Sequence, residues 1–297
     1  MARVAAGRAS AAGMPAAPAG PRRPARLRRF WQNPFAVASA IFVALMISAA
    51  ACAPFITAHA PDRIVLGQEL RAPSAQHWLG TDQNGRDEFA RLLYGARISL
   101  VIGIVAVLVS VSLGTVIGAV SGAFGGLVDA LPMRLTDAML AIPLFFLLLA
   151  ALAAIGSTVV NIVLVIGLSS WMTTARVVRS EVLRTVNLEY VTAARALGAG
   201  PGRVVARHLL PPALPSMLVS STLGVGQAIL AESALSYLGV GVQPPTASWG
   251  NMLSHAQSYI FASPLLALWP GIAILLTVLS FNFIGDAVRD TLSPYQT

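Results

Sequence analysis

Between Phe35 and Ile56 the chain carries no charged residue, and a helix of that length crosses about 30 Å of hydrocarbon. Further apolar stretches at roughly 97–123, 135–156, 158–176, 213–238 and 265–286 repeat the pattern. In lipid every backbone amide must find a partner, which leaves helices or a closed barrel. Runs of this length select helices, so the expected fold is an all-α integral membrane protein of about six transmembrane helices. Composition agrees: 56% of residues are hydrophobic and only 11% charged, against about a quarter charged in soluble domains.

All 20 basic residues are arginine. A phosphate-binding loop of the Walker type needs lysine, and so does Schiff-base catalysis; both are excluded for this chain. If ATP drives the protein, a separate subunit must bind it. The single cysteine, Cys52, allows no intrachain disulfide. The four histidines, His59, His77, His208 and His255, lie far apart without ligand spacing, so no metal site is expected. Ala50-Ala51-Cys52 has the look of a cleavage site, but the run before it is too long for a signal core and further spans follow.

Charge placement gives a topology. Residues 1–29, rich in Ala, Pro, Gly and Arg, read as a disordered basic cytoplasmic tail. Residues 30–58 form an N-terminal transmembrane helix and 59–92 an outer loop. The main transmembrane domain occupies 93–297, with a cytoplasmic loop at about 176–212. Fifteen arginines then fall on the cytoplasmic side against five on the outer side, which puts both termini in the cytoplasm. Such a distribution reflects a membrane, not a nucleic-acid groove. Gly114, Gly118 and Gly122 recur at a spacing that lets helices approach closely.

The loop after the fourth stretch is the most informative. Tyr190, Ala193, Ala194 and Leu197 fall at helical spacing on one face. The helix should stop at Gly198, and Gly200-Pro201-Gly202 prevents its continuation. A small alanine-lined helix of this kind suits insertion into a cleft on another protein; an amphipathic connector fits the spacing as well. Glu232, with Gln227 close by in sequence, is the acidic residue placed well inside a predicted span. Glu232 should face the bundle or a wet cavity, either with Gln227 as a translocation-pathway contact or as a structural hydrogen-bond partner.

The segment Glu189-Tyr-Val-Thr-Ala-Ala-Arg-Ala-Leu-Gly198, with Leu210-Pro211 after it, resembles the cytoplasmic loop of ABC-importer permeases. Ala193, Ala194, Gly198, Leu210 and Pro211 occupy the matching positions, while Thr192 replaces the usual glutamate and His208 the commonest isoleucine. His77-Trp-Leu-Gly-Thr-Asp-Gln-Asn-Gly-Arg-Asp87 with Tyr94-Gly-Ala-Arg-Ile-Ser99 is similar to the lead into the second span of dipeptide/oligopeptide/nickel permeases. Leu235 to Pro245 with Trp249-Gly250 resembles their outer loop before the last span, and Phe281-Asn-Phe-Ile-Gly-Asp286 with Arg289-Asp290 and Pro294 resembles their ending. Arg29-Phe-Trp-Gln-Asn-Pro34 resembles their lead into the first helix, and the C-type subunit of the pair is the better match.

The resemblance implies the type I ABC importer permease fold. It implies coupling to an ATPase subunit through Glu189, Tyr190, Ala193, Ala194, Arg195, Leu197 and Gly198. It also implies a second homologous permease, two ATP-binding subunits and an extracytoplasmic substrate-binding protein. ATP and Mg would then sit in the partners, with no cofactor on this chain. Cargo would be di- or oligopeptides, or nickel, glutathione or another small solute. From the residues themselves, Asp82, Arg86 and Asp87 suit mutual bridges that fix the outer loop, and Trp249 suits an interfacial anchor. A secondary transporter would need its own coupling-ion site, for which Glu232 is the candidate. A membrane enzyme would need converging catalytic groups, which the predicted spans do not supply.

Overall fold

The computed structural model describes residues 30–292; the expected basic tail over 1–29, and Pro294, lie outside them. The first span, α1 (Pro34–Ala51), starts where the Asn33 side chain accepts from the amides of Phe35 and Ala36. Pro34 follows at the first helical position, where its missing N–H costs nothing. A helical turn, Ala53–Ile56, leads into the loop.

The second span, α2 (Glu88–Phe124), runs 37 residues, about 55 Å at the helical rise. It is longer than predicted at its start because Glu88 and Arg91, charges that suggested loop, are buried at 2% and 1% exposure. Arg91 reaches the Asp82 carboxylate at 3.5 Å and donates to the Pro61 carbonyl at 3.2 Å. Two glycines with left-handed φ, Gly125 and Gly126, stop the helix.

The third predicted span, 135–156, is not one helix. It is a pair, α3 (Gly126–Ala141) and α4 (Leu144–Ile155), bent by 92° between them. Pro143 supplies the reason: it has no N–H to donate, and it pushes Ile142 into an extended conformation. Gly156 then turns with φ +84°, and Thr158 caps α5 (Val159–Leu168) through the Asn161 amide, giving a tight turn between α4 and α5. A break at Ser169–Ser170 precedes α6 (Trp171–Thr185). The loop carries α7 (Glu189–Ala196), then a turn at Pro201–Val204 and a wide turn at Val205–Leu209. The chain re-enters the bundle as α8 (Leu210–Tyr237), forms the short helix α9 (Trp249–Gln257) in the connection that follows, and continues as α10 (Leu265–Leu292). Among the described residues five helical segments are long and apolar enough to cross a membrane, α5 and α6 together making one of them, or six with the bent pair counted as one span.

Helix α2 is the axis of the bundle, packing on α5, α6, α8 and α1, while α10 closes against α8 and α1. The glycine spacing finds its use here. A Cβ on Gly118 would lie 2.3 Å from the Ala175 carbonyl oxygen, and one on Gly114 2.7 Å from the Thr174 Cβ. These glycines let α2 and α6 touch backbone to backbone. Outward-facing Ile41, Leu45, Val101, Leu108, Val116 and Leu275 are exposed in the isolated chain. On the spans such side chains suit contact with lipid or with another membrane-embedded chain.

Trp249, expected at the membrane interface, is instead fully buried. Its indole N–H donates to the Leu92 carbonyl at 3.1 Å and its backbone N–H to the Ser99 hydroxyl at 3.3 Å. A buried indole needs such a partner, and Ser248 with Asn251 fixes the start of α9 by a reciprocal capping box.

Candidate functional site

Three features at different depths carry the functional reading. At one end of the bundle lies α7. Glu189 opens it and Arg195 closes it, each placed favourably on the helix dipole. Gly198, at φ +83°, ends it: the Gly198 amide donates to the Arg195 carbonyl at 2.9 Å, and the Ala199 amide to the Ala194 carbonyl at 3.0 Å. That pair of bonds is a Schellman cap, which needs the left-handed residue.

Val191 alone of this helix is buried, seated among Val178, Val182, Val204 and Leu209. Glu189, Tyr190, Ala193, Arg195 and Gly198 are exposed, Ala194 is half-buried, and Leu197 is 89% exposed. The predicted face therefore points away from its own chain. Tyr190 links the helix to the span that follows. Pro212 has no N–H for the His208 carbonyl four residues back, and the Tyr190 hydroxyl donates to that carbonyl at 3.4 Å. This bond joins α7 to the turn that leads into α8. At the same end Arg179 of α6 grips Asp129 of α3 through two hydrogen bonds of 2.5 and 2.6 Å. Arg176 pairs with Asp137 at 2.5 Å.

Deeper in the bundle, at the α3/α4 bend and the α5/α6 break, is a cavity of about 360 Å³. Ser110, Ser169, Ser170, Thr173, Ser220 and Gln227 supply its polar lining among apolar neighbours such as Met139 and Leu223, with no charged side chain. Gln227 thus reaches the cavity; Glu232 does not. Glu232 is fully buried, accepting from the Ser99 hydroxyl at 3.1 Å and the Ser236 hydroxyl at 2.7 Å. Ser236 in turn accepts from the Val242 amide at 2.9 Å. Glu232 thereby joins α2, α8 and, through Ser236, the loop before α9 by buried hydrogen bonds.

At the other end, Asp82 accepts from the Arg86 Nε at 2.6 Å, while its second oxygen accepts from the Asn84 and Arg86 amides at 2.8 and 2.9 Å. Asp87 does not join that bridge. It caps α2 through the Ala90 amide at 2.7 Å and lies 2.7 Å from the His77 Nδ1. Sequence spacing separates His59 from His77, yet the loop folds their rings to 4.9 Å between centroids. The polar density of residues 77–87 was the available signal for this cluster; the part played by His59 had none. Nearby, burial first, then the charges of Arg91 and Arg86, hold the His255 imidazole below its ordinary value. In the loop itself the backbone amides of Glu69 and Gly67 hold the exposed Glu69 carboxyl below its usual range.

Residues 114–296, more than half of the chain, match the family described as the binding-protein-dependent transport system inner membrane component. The chain belongs to that family. Residues 25–73 match the N-terminal transmembrane domain of oligopeptide transport permease C. Among its relatives is a glutathione transport system permease protein of Pectobacterium atrosepticum, 39% identical over 90% of this chain and 89% of the relative. A dipeptide transport system permease protein of Alkalihalophilus pseudofirmus is 40% identical over 89% and 86%. A nickel transport system permease protein of Escherichia coli is 40% identical over 86% and 92%. A solved chain of the methionine ABC transporter in an inward-facing conformation superposes with a TM-score of 0.54 at 20% identity, over 69% of this chain and 98% of that one. The protein is a multi-pass inner-membrane permease of the dipeptide/oligopeptide/nickel group of ABC importers, with the type I permease fold.

Proposed function

We propose that this permease forms one half of a path for di- or oligopeptides and moves them into the cytoplasm by alternating access. A second homologous permease completes the path, two ATP-binding subunits dock beneath the pair, one of them on α7, and an extracytoplasmic substrate-binding protein delivers cargo. Both termini and α7 face the cytoplasm, as the fifteen-to-five arginine distribution favours. ATP and Mg belong to the docked subunits, whose closure pushes α7, and through Tyr190 the foot of α8, to switch the half-cavity from inward to outward facing.

The observation that carries the reading is the bare face of α7: an eight-residue helix held by one buried valine, with Leu197 89% exposed. Large apolar side chains left open outside lipid mark a protein contact. Peptide cargo is supported by the cavity, whose hydroxyls and the Gln227 amide can pair with backbone amides while adding no fixed charge. It is also supported by the oligopeptide and dipeptide relatives. The nickel relative favours a second reading, in which the same machine carries a metal or another small solute.

The test is ATP-dependent uptake of a labelled tetrapeptide library into proteoliposomes holding the complete complex. Peptide uptake that needs both ATP and the binding protein supports the proposal. Entry of nickel but not peptide would keep the architecture and overturn the cargo.

A further inference from the structure

Where the loop after α1 meets the start of α2, three side chains of metal-binding type converge. The donor atoms of His59, His77 and Asp87 all lie within 4.8 Å of one another. The Asp87 Oδ2 is 2.7 Å from the His77 Nδ1 and 3.9 Å from the His59 Nδ1. Bonds of about 2.0–2.1 Å to one ion would place tetrahedral ligands roughly 3.3 Å apart, and the two observed separations straddle that value. Rotation of His59, whose side chain is 37% exposed, shortens the longer separation, while the shorter one is a hydrogen bond between His77 and Asp87 that opens when the ion replaces its proton.

The surroundings already orient Asp87 and His77 and fix the backbone at His59. Asp87 spends Oδ1 on the Ala90 amide, leaving Oδ2 to point at both imidazoles. His77 is buried, with Nε2 3.0 Å from the Gln68 Oε1. If Nδ1 binds a metal, Nε2 carries the proton and donates it to that oxygen, the outer-shell bond that fixes ring and tautomer in metal sites. The Thr57 hydroxyl accepts from the His59 amide at 3.1 Å and donates to its carbonyl at 3.2 Å, fixing the backbone there. The cluster borders a cavity of about 570 Å³, lined also by Arg63, Trp78 and Phe89, which gives an ion access. Asp82 is spent on Arg86 and Arg91 and adds no charge to the site.

We propose that His59, His77 and Asp87 form a three-ligand site for a divalent first-row ion of the zinc class. Two imidazole nitrogens and one carboxylate suit such ions, whereas calcium takes six to eight oxygens. Three protein ligands leave a position for water facing the cavity. The ion clasps the end of the first span to the cap of the second, independently of what the permease carries.

The test uses full-length protein with a tag free of histidine, stripped with EDTA and equilibrated with Zn²⁺ in detergent. One Zn²⁺ per chain is expected, with a rise in Tm as the ion binds the folded state. His59→Phe keeps the ring against His77 but removes the donor, and should lose both the stoichiometric ion and the Tm rise. Gln68→Leu should weaken binding roughly 10- to 100-fold, and His208→Ala should change nothing. Co²⁺ in place of Zn²⁺ should give the absorption of a nitrogen- and oxygen-ligated ion in the wild type alone of the wild-type and His59→Phe proteins. Wild type without stoichiometric Zn²⁺, or His59→Phe binding as wild type does, would overturn the proposal.

Discussion

Glu232 and Gln227 lie close in sequence on one helix and do different work. Glu232 accepts two buried hydroxyls, whereas Gln227 borders the cavity. Glu232→Ala leaves Ser99 and Ser236 without their acceptor, at about 1–3 kcal/mol for a buried unmet group, so the Tm in detergent should fall. Gln227→Ala should leave the Tm unchanged and raise the KM for peptide uptake. A stable Glu232→Ala protein with altered KM would reverse these assignments. Sequence alone left both roles open for Glu232, because a carboxylate in a span must be satisfied but its periodicity does not say by whom. Only the fold brings Ser99 to it from another helix.

At the scale of elements, the seam between α2 and α6 rests on Gly114, Gly118 and Gly122. Gly118→Leu forces a side chain against the Ala175 backbone. Overpacking of this kind costs about 1–3 kcal/mol, and the variant should melt early and assemble poorly. Gly125→Ala, in open space but at φ +64°, should cost less, and equal melting of the two variants would deny the seam. Much of this level was legible. The stop of α7 followed from Gly198 and Gly200-Pro201-Gly202, and its face from the spacing of Tyr190, Ala193, Ala194 and Leu197. The 92° bend was not, because Pro143 sits in a run apolar enough to read as one helix. The true start of α2 was hidden too, since Glu88 and Arg91 look like loop until their burial is seen. Trp249 misled for a related reason: an amphipathic side chain suits an interface or a core with one acceptor, and Leu92 provides the latter.

For the whole molecule, orientation and coupling are the claims that matter. With the arginine-rich loops inside, a cysteine placed at Leu197 in a Cys52→Ser background should resist a membrane-impermeant maleimide in intact cells. One placed at Leu66, 86% exposed in the loop at the opposite end, should react. The reverse pattern would invert the topology.

Coupling through α7 is tested most directly by co-purification. Leu197→Asp changes a side chain that touches little of its own chain, so the permease pair should assemble and melt as wild type does. The account predicts that fewer ATP-binding subunits co-purify with this variant complex than with wild type and that ATP-driven uptake is lost. Full retention of those subunits and of uptake in the Leu197→Asp complex would contradict it.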